Sequence, residues 1–226
     1  MANFDFFSTP SVEGGIKLPV CLVLDISGSM EETLRSSRGK VKKIDELNDN
    51  IEMLFDTIRT DSNANAMSDI CLIGCGGDTP KVICGYSNVE KIKFQRLSAY
   101  GRTPLGESVE LALDLLQKRR QYYRDSGIEH YKPILMIMSD GVPTEYPSVY
   151  TKAAQRCSDM VNKEGLKVLP IAIGDSANLD ILNMFSPKIQ AKVIVNMDVF
   201  KELFRMLSRS MSNSDNTVFD WLNDQV

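Results

Sequence analysis

Ile134-Leu135-Met136-Ile137-Met138 carries an apolar side chain at every position and stops at Ser139-Asp140-Gly141. Successive side chains of a strand point to opposite faces, so this run leaves no face for water. Val20-Cys21-Leu22-Val23-Leu24 is built the same way, entered from Pro19 and ended by Asp25-Ile26-Ser27-Gly28-Ser29. Strands buried on both faces belong inside a parallel sheet clothed by helices. The intervening sequence supplies such helices. Val41, Ile44, Leu47, Ile51, Leu54, Phe55 and Ile58 recur at helical spacing. So do Leu105, Val109, Ala112, Leu113 and Leu116, behind Pro104 at a favoured first helical position.

Residues 70–74 and 81–86 read as strands joined through Gly76-Gly77-Asp78-Thr79-Pro80, a hairpin that adds one antiparallel strand. Beyond residue 141 the spacing predicts a helix over 148–163 ended by Gly165, and a strand over 168–173 closing in Gly174-Asp175. A short helix near 178–185, a strand at 193–195 and a helix at 198–211 complete the pattern. The fold class expected is α/β: a Rossmann-like, doubly wound, mostly parallel sheet with one antiparallel strand and helices on both faces. With 226 residues and 43% apolar content, one core is the natural division. It leaves an N-terminal arm at 1–15, a domain at 16–212 and a C-terminal tail at 213–226. In that tail Val218, Trp221 and Leu222 fall at helical spacing.

A net charge of -4 and a pI near 5.2 argue against a nucleic-acid role, which leaves a basic footprint. The local basic clusters, Arg35, Arg38, Lys40, Lys42 and Lys43, then Lys118, Arg119, Arg120 and Arg124, read as solvated surface. The N-terminal residues show no basic segment followed by an apolar one, and no run approaches the roughly 20 apolar residues of a membrane helix. The five cysteines, Cys21, Cys71, Cys75, Cys84 and Cys157, are scattered, and the lone His130 completes no zinc set. A reduced, cytoplasmic setting is the expectation.

Open α/β sheets bind ligands at the carboxyl ends of their strands, and Asp25 and Asp140 both stand there. Asp25, Ser27 and Ser29 offer hard oxygens, which suit Mg²⁺ or Mn²⁺ rather than zinc. Thr103, in Gly101-Arg102-Thr103-Pro104-Leu105-Gly106, precedes a helix that starts on the same edge. Its hydroxyl either faces such an ion or caps the helix. Taken singly, Ser27 and Ser29 could shape the turn at Gly28, and either aspartate could cap a helix.

Asp-x-Ser-x-Ser, a distant Thr and a later Asp-Gly, in this order, resemble the metal-ion-dependent adhesion site of von Willebrand factor type A domains. The resemblance covers roughly residues 16–212, and is nearest to bacterial stand-alone members such as the tellurium-resistance protein TerY. It implies that Ser27, Ser29 and Thr103 ligate Mg²⁺, or Mn²⁺, through hydroxyls, while Asp25 and Asp140 mostly hold ligating waters. It further implies a protein partner supplying an Asp or Glu carboxylate, and a place in bacterial tellurite or stress response. Partners there include Ter-system and kinase- or phosphatase-like proteins. It also implies a last helix, here 198–211, that shifts with ligand at the metal.

Enzyme readings fit less well. A phosphoryl-transfer enzyme using Asp25 as nucleophile needs a second aspartate two residues on, where Ser27 stands. Ser27 and Ser29 lack a Gly-x-Ser-x-Gly elbow, and His130 is the only histidine available as base. Gly74-x-Gly76 lacks the third glycine of a dinucleotide loop. A scaffold with a vestigial metal site is the remaining alternative to an interaction module.

Overall fold

The computed structural model describes residues 15–36, 39–174 and 176–193. The chain runs β1 (Leu18–Asp25), β2 (Thr33–Ser36), β3 (Gly39–Lys42), α1 (Lys43–Thr60), α2 (Ser62–Met67), β4 (Ser68–Cys75) and β5 (Lys81–Ser87). It continues with α3 (Leu105–Asp125), β6 (Ile134–Ser139), α4 (Pro147–Glu164), β7 (Lys167–Ala172), α5 (Leu179–Met184) and β8 (Lys192–Val193). Six strands form one sheet in the order β5-β4-β1-β6-β7-β8. All of its pairings are parallel except β4 with β5. This is the doubly wound sheet that the apolar runs predict.

Strand periodicity divides the core into two layers. Val20, Leu22 and Leu24 of β1 face α1, whose Ile44, Leu47, Ile51, Leu54, Phe55 and Ile58 are buried against them. Cys21 and Val23 face the other way, onto Leu105, Val109, Leu113 and Leu116 of α3 and Cys157 of α4. Each of the central strands β1, β4 and β6 is buried along its whole length. No charged residue interrupts β1 before Asp25 or β6 before Asp140, so both first acids appear at the carboxyl edge.

Two expectations are corrected, and one unpredicted helix is added. Val41 does not belong to the first helix: it pairs with Leu34 in a separate two-stranded ribbon, β2–β3, and α1 starts at Lys43. Gly39, at φ 105, takes the left-handed backbone that the ribbon needs where β3 begins. The helix α2 was invisible to apolar spacing, because it forms by capping: the Asp61 side chain accepts from the amides of Asn63 and Ala64. The basic clusters are not uniformly solvated. Lys43 and Arg119 are buried, at 3% and 0% exposure.

Arg119 enters the core because it lies on the buried face of α3 with Leu105, Ala112, Leu116 and Tyr123. It reaches Asp69, near the start of β4, with Nε donating to Oδ2 at 2.5 Å and Nη2 to Oδ1 at 2.9 Å. Tyr123 donates its hydroxyl to the same carboxylate. The rings of Tyr86, Tyr122 and Tyr123 lie 5.0–5.4 Å from the guanidinium carbon. A two-pronged ion pair with a third donor and aromatic flanks neutralises a charge that the interior would otherwise reject.

The strand at 193–195 is seen at Val193, in β8. Residues 194–195, the helix at 198–211, the tail at 213–226 and residues 1–14 of the arm lie outside the described residues.

Candidate functional site

The carboxyl edge of β1 and β6 gathers the sequence-predicted residues. Asp25, Ser27, Thr103 and Asp140 are buried, and Ser29 is half-buried. Asp25 ends β1, and its Oδ1 accepts from the Ser27 amide at 2.9 Å. Its Oδ2 accepts from Ser139 Oγ at 2.5 Å, and that oxygen in turn accepts from the Gly141 amide at 2.9 Å. Ser139 therefore links the two acidic loops, a role that the motif alone does not assign to it. Ser27 Oγ and Ser29 Oγ lie 3.1 Å apart on a short helical turn. Asp140 Oδ1 accepts from the Val142 amide at 3.3 Å.

Backbone bonds hold the loops to one another. Tyr100 N donates to Ile26 O at 2.8 Å, Gly28 N to Gly101 O at 3.0 Å, and Gly77 N to Tyr100 O at 3.2 Å. Thr103 and Thr144 bond twice, Thr144 N to Thr103 O at 3.1 Å and Thr103 N to Thr144 Oγ1 at 2.9 Å. Asn178 N donates to Asp140 O at 2.8 Å, joining the loop after β7. Gly101, at φ 70, lies so close to Gly77 that an added Cβ would stand 2.6 Å from the Gly77 Cα. Gly101→Ala is accordingly expected to cost about 1–3 kcal/mol in urea unfolding, from backbone strain and from parting two loops. A loss below about 0.5 kcal/mol would show that the loops part freely.

Thr103 does not cap α3. Pro104 stands at the cap position with no side-chain bond, and the Glu145 carboxylate instead accepts from the amides of Gly106 and Glu107. Half-burial of Glu145 raises its pKa, against the two amides that favour its charge. A proline-led start leaves first-turn amides for acceptors outside the helix, and here a distant acid meets two of them. The Thr103 hydroxyl is thereby released from helix duty.

Two carboxylates meet at this edge, and the electrostatics record it. Burial first, and the Asp140 charge second, push the Asp25 carboxyl from 3.8 up to about 6, against the bonds from Ser139 and Ser27. A positive charge between or beside them relieves that cost. One is present: Lys43 Nζ donates to Asp140 Oδ2 at 3.3 Å and to Glu32 Oε2 at 2.7 Å. Burial pulls the Lys43 ammonium down, but the Glu32 bond and the Asp140 charge outweigh it and leave its pKa raised. The sequence reading placed Lys43 on solvated surface, although Lys43, Leu47 and Ile51 share one helix face, a spacing that marks it as buried.

Among the described residues no three His, Cys, Asp or Glu side chains cluster to hold a metal. Any ion here depends on hydroxyls beside two carboxylates, and that donor set fits Mg²⁺ or Mn²⁺, with a lysine ammonium already standing in for a cation. His130 lies before β6, at the opposite edge, and its Nδ1 is 2.8 Å from Tyr131 O, so it serves neither serine.

No family model and no curated protein matches the sequence. Solved structures do. The PilB minor pilin from Streptococcus sanguinis is 13% identical with a TM-score of 0.59, over 92% of this chain and 64% of that one. The SpRpn10 VWA domain is 15% identical with a TM-score of 0.54, over 80% of this chain and 87% of that domain. A von Willebrand factor type A protein from Catenulispora acidiphila is 14% identical with a TM-score of 0.57, over 87% of this chain and 42% of that one. The chain thus spans under two thirds of the minor pilin, and at these identities the likeness is one of fold. That fold is the α/β architecture of von Willebrand factor type A domains. The likeness to TerY rests on sequence motifs alone.

Proposed function

We propose that the carboxyl edge of β1 and β6 is a divalent-metal-dependent site for binding another protein. Ser27, Ser29 and Thr103 would hold Mg²⁺ or Mn²⁺ through hydroxyls, with Asp25 and Asp140 behind them. The observation that carries the reading is the convergence of two buried carboxylates and three hydroxyl residues in loops that are bonded to one another. A bound ion with mostly neutral direct ligands keeps an unsatisfied charge, which attracts a carboxylate. An Asp or Glu side chain of the partner completes the set.

The surroundings favour a protein as that partner. Tyr100, Val142, Tyr146 and Leu179 are large apolar side chains exposed on loops or helix starts at this edge. Exposed aromatic and aliphatic groups around a charged centre resemble an interface more than a substrate cleft. The role is binding, not catalysis: Asp25 is fully buried with both oxygens engaged, which suits a positioning acid and not a phosphoryl-accepting nucleophile. Among the described residues no helix is long and apolar enough to cross a membrane. The motif likeness to TerY supports, as part of this proposal, a role in bacterial tellurite or stress response in the cytoplasm, with Ter-system or kinase- and phosphatase-like partners.

Binding to an array of acidic peptides tests the reading. Capture is expected with Mg²⁺ or Mn²⁺, and at least about tenfold weaker capture with chelator, with Ser27→Ala, or when the peptide acid becomes its amide. Capture indifferent to metal would refute it and leave the edge a scaffold. Phosphatase turnover lost in Asp25→Ala would restore the enzyme alternative.

A further inference from the structure

Lys43 is a cation lodged where the proposed ion would be attracted. Its side chain is 3% exposed and bridges Asp140, inside the site, to Glu32, whose side chain is 64% exposed at the mouth. Its position is fixed from both sides, because it joins β3 to α1 and both are hydrogen-bonded elements. The lysine stem also has a prepared path. At Gly174, φ 89, an added Cβ would stand 3.3 Å from Lys43 Cε and 2.8 Å from a Leu34 methyl, so a larger residue would crowd the stem. The ammonium thus has two carboxylates within reach, one buried and one in water.

We propose that Lys43 is a tethered competitor of the divalent ion: it neutralises Asp140 until the ion binds, and is then held by Glu32 alone. The inference rests on the metal-site reading above. Two cations near one carboxylate repel strongly at low dielectric, so a resident ammonium weakens ion binding. A lysine suits exchange because its charge is compact and its stem flexible. The partner's carboxylate adds the negative charge that lets ion and ammonium coexist. Ion and partner therefore raise each other's affinity.

Mn²⁺ binding to the full chain, followed by electron paramagnetic resonance, tests this with five proteins: wild type, Lys43→Met, Lys43→Arg, Glu32→Gln and the Lys43→Met/Glu32→Gln double variant. Lys43→Met keeps the stem and removes the charge, and is expected to bind Mn²⁺ at least about tenfold more tightly. Lys43→Arg retains the charge and stays near wild type. Glu32→Gln drives the ammonium onto Asp140 and weakens Mn²⁺ binding, but by less in the Lys43→Met background, because the two act through one another. Thermal melts of the same samples should show Lys43→Met losing stability in chelator and regaining it with Mg²⁺. Equal or weaker binding by folded Lys43→Met overturns the competition. Should that variant fail to fold, unchanged affinity in Glu32→Gln overturns it. If no folded protein binds Mn²⁺, the metal site itself falls and the competition with it, a result distinct from equal binding.

Discussion

Replacing Arg119 by Met is expected to lower the unfolding free energy by about 3–5 kcal/mol, read from urea denaturation at neutral pH. The magnitude comes from what remains. Asp69 is 3% exposed, and without the guanidinium its carboxylate keeps, among the described residues, the Tyr123 hydroxyl alone. An uncompensated buried charge costs far more than the pair contributes. Pairing Arg119→Met with Asp69→Asn should recover a large part of the loss, since the second change removes the stranded charge. A single-variant loss under about 1 kcal/mol would mean that water reaches Asp69 and that the pair is a surface contact in energetic terms.

Asp25→Asn should act in the opposite direction, and conditionally. The Asp25 carboxyl is raised from 3.8 to about 6 by burial and then by Asp140. The folded protein therefore holds a proton that the unfolded chain has already released across this interval. Stability contributed by the neutral form is complete below about pH 3.8 and is lost as pH rises to about 6. The gap corresponds to about 3 kcal/mol at pH 7 in chelator. Asn removes the charge and retains an oxygen for the Ser27 amide, but it disturbs the bond from Ser139. A net gain of about 1–3 kcal/mol in chelator is expected, together with loss of the decline between those pH values. With Mg²⁺ the order should reverse, because wild type gains stability from the ion and Asp25→Asn does not. Equal stability of the two proteins in chelator from pH 4 to pH 7 would show that Asp25 is solvated, and would remove the electrostatic case for a cation.

The apolar runs at residues 20–24 and 134–138 made the sheet legible because burial on both faces leaves little alternative to a parallel interior. The same runs placed Asp25 and Asp140, since a strand's last residue before its first acid marks the edge. Thr103 was legible as a neighbour but not in its role, which turned on Glu145, a helix cap supplied from across 39 residues. The ribbon β2–β3 was read through because Val41 extends the helical stripe of α1 by coincidence of spacing. Short ribbons carry little pattern of their own and are held by what they rest on. Lys43 and Arg119 were misjudged for a common reason. Composition counts charges, whereas helix phase decides which of them turn inward, and both lie on buried faces beside Leu47 and Leu116.

The order of the sheet also bears on when the edge comes into being. β6 lies beside β1, yet it is made more than 100 residues later, between Ile134 and Ser139. A chain synthesised only through β5 can pair β1 with β4 in the register Leu18 to Ser68, but it holds a serine loop with no second acid. The Ser139 bond to Asp25 is absent from it, and so is the neighbour that makes Asp25 costly. Contacts this distant in sequence form slowly and close the fold when they form. Competence at this edge is in that sense a property of the finished chain: a nascent or truncated copy displays the pentapeptide without the means to act on it.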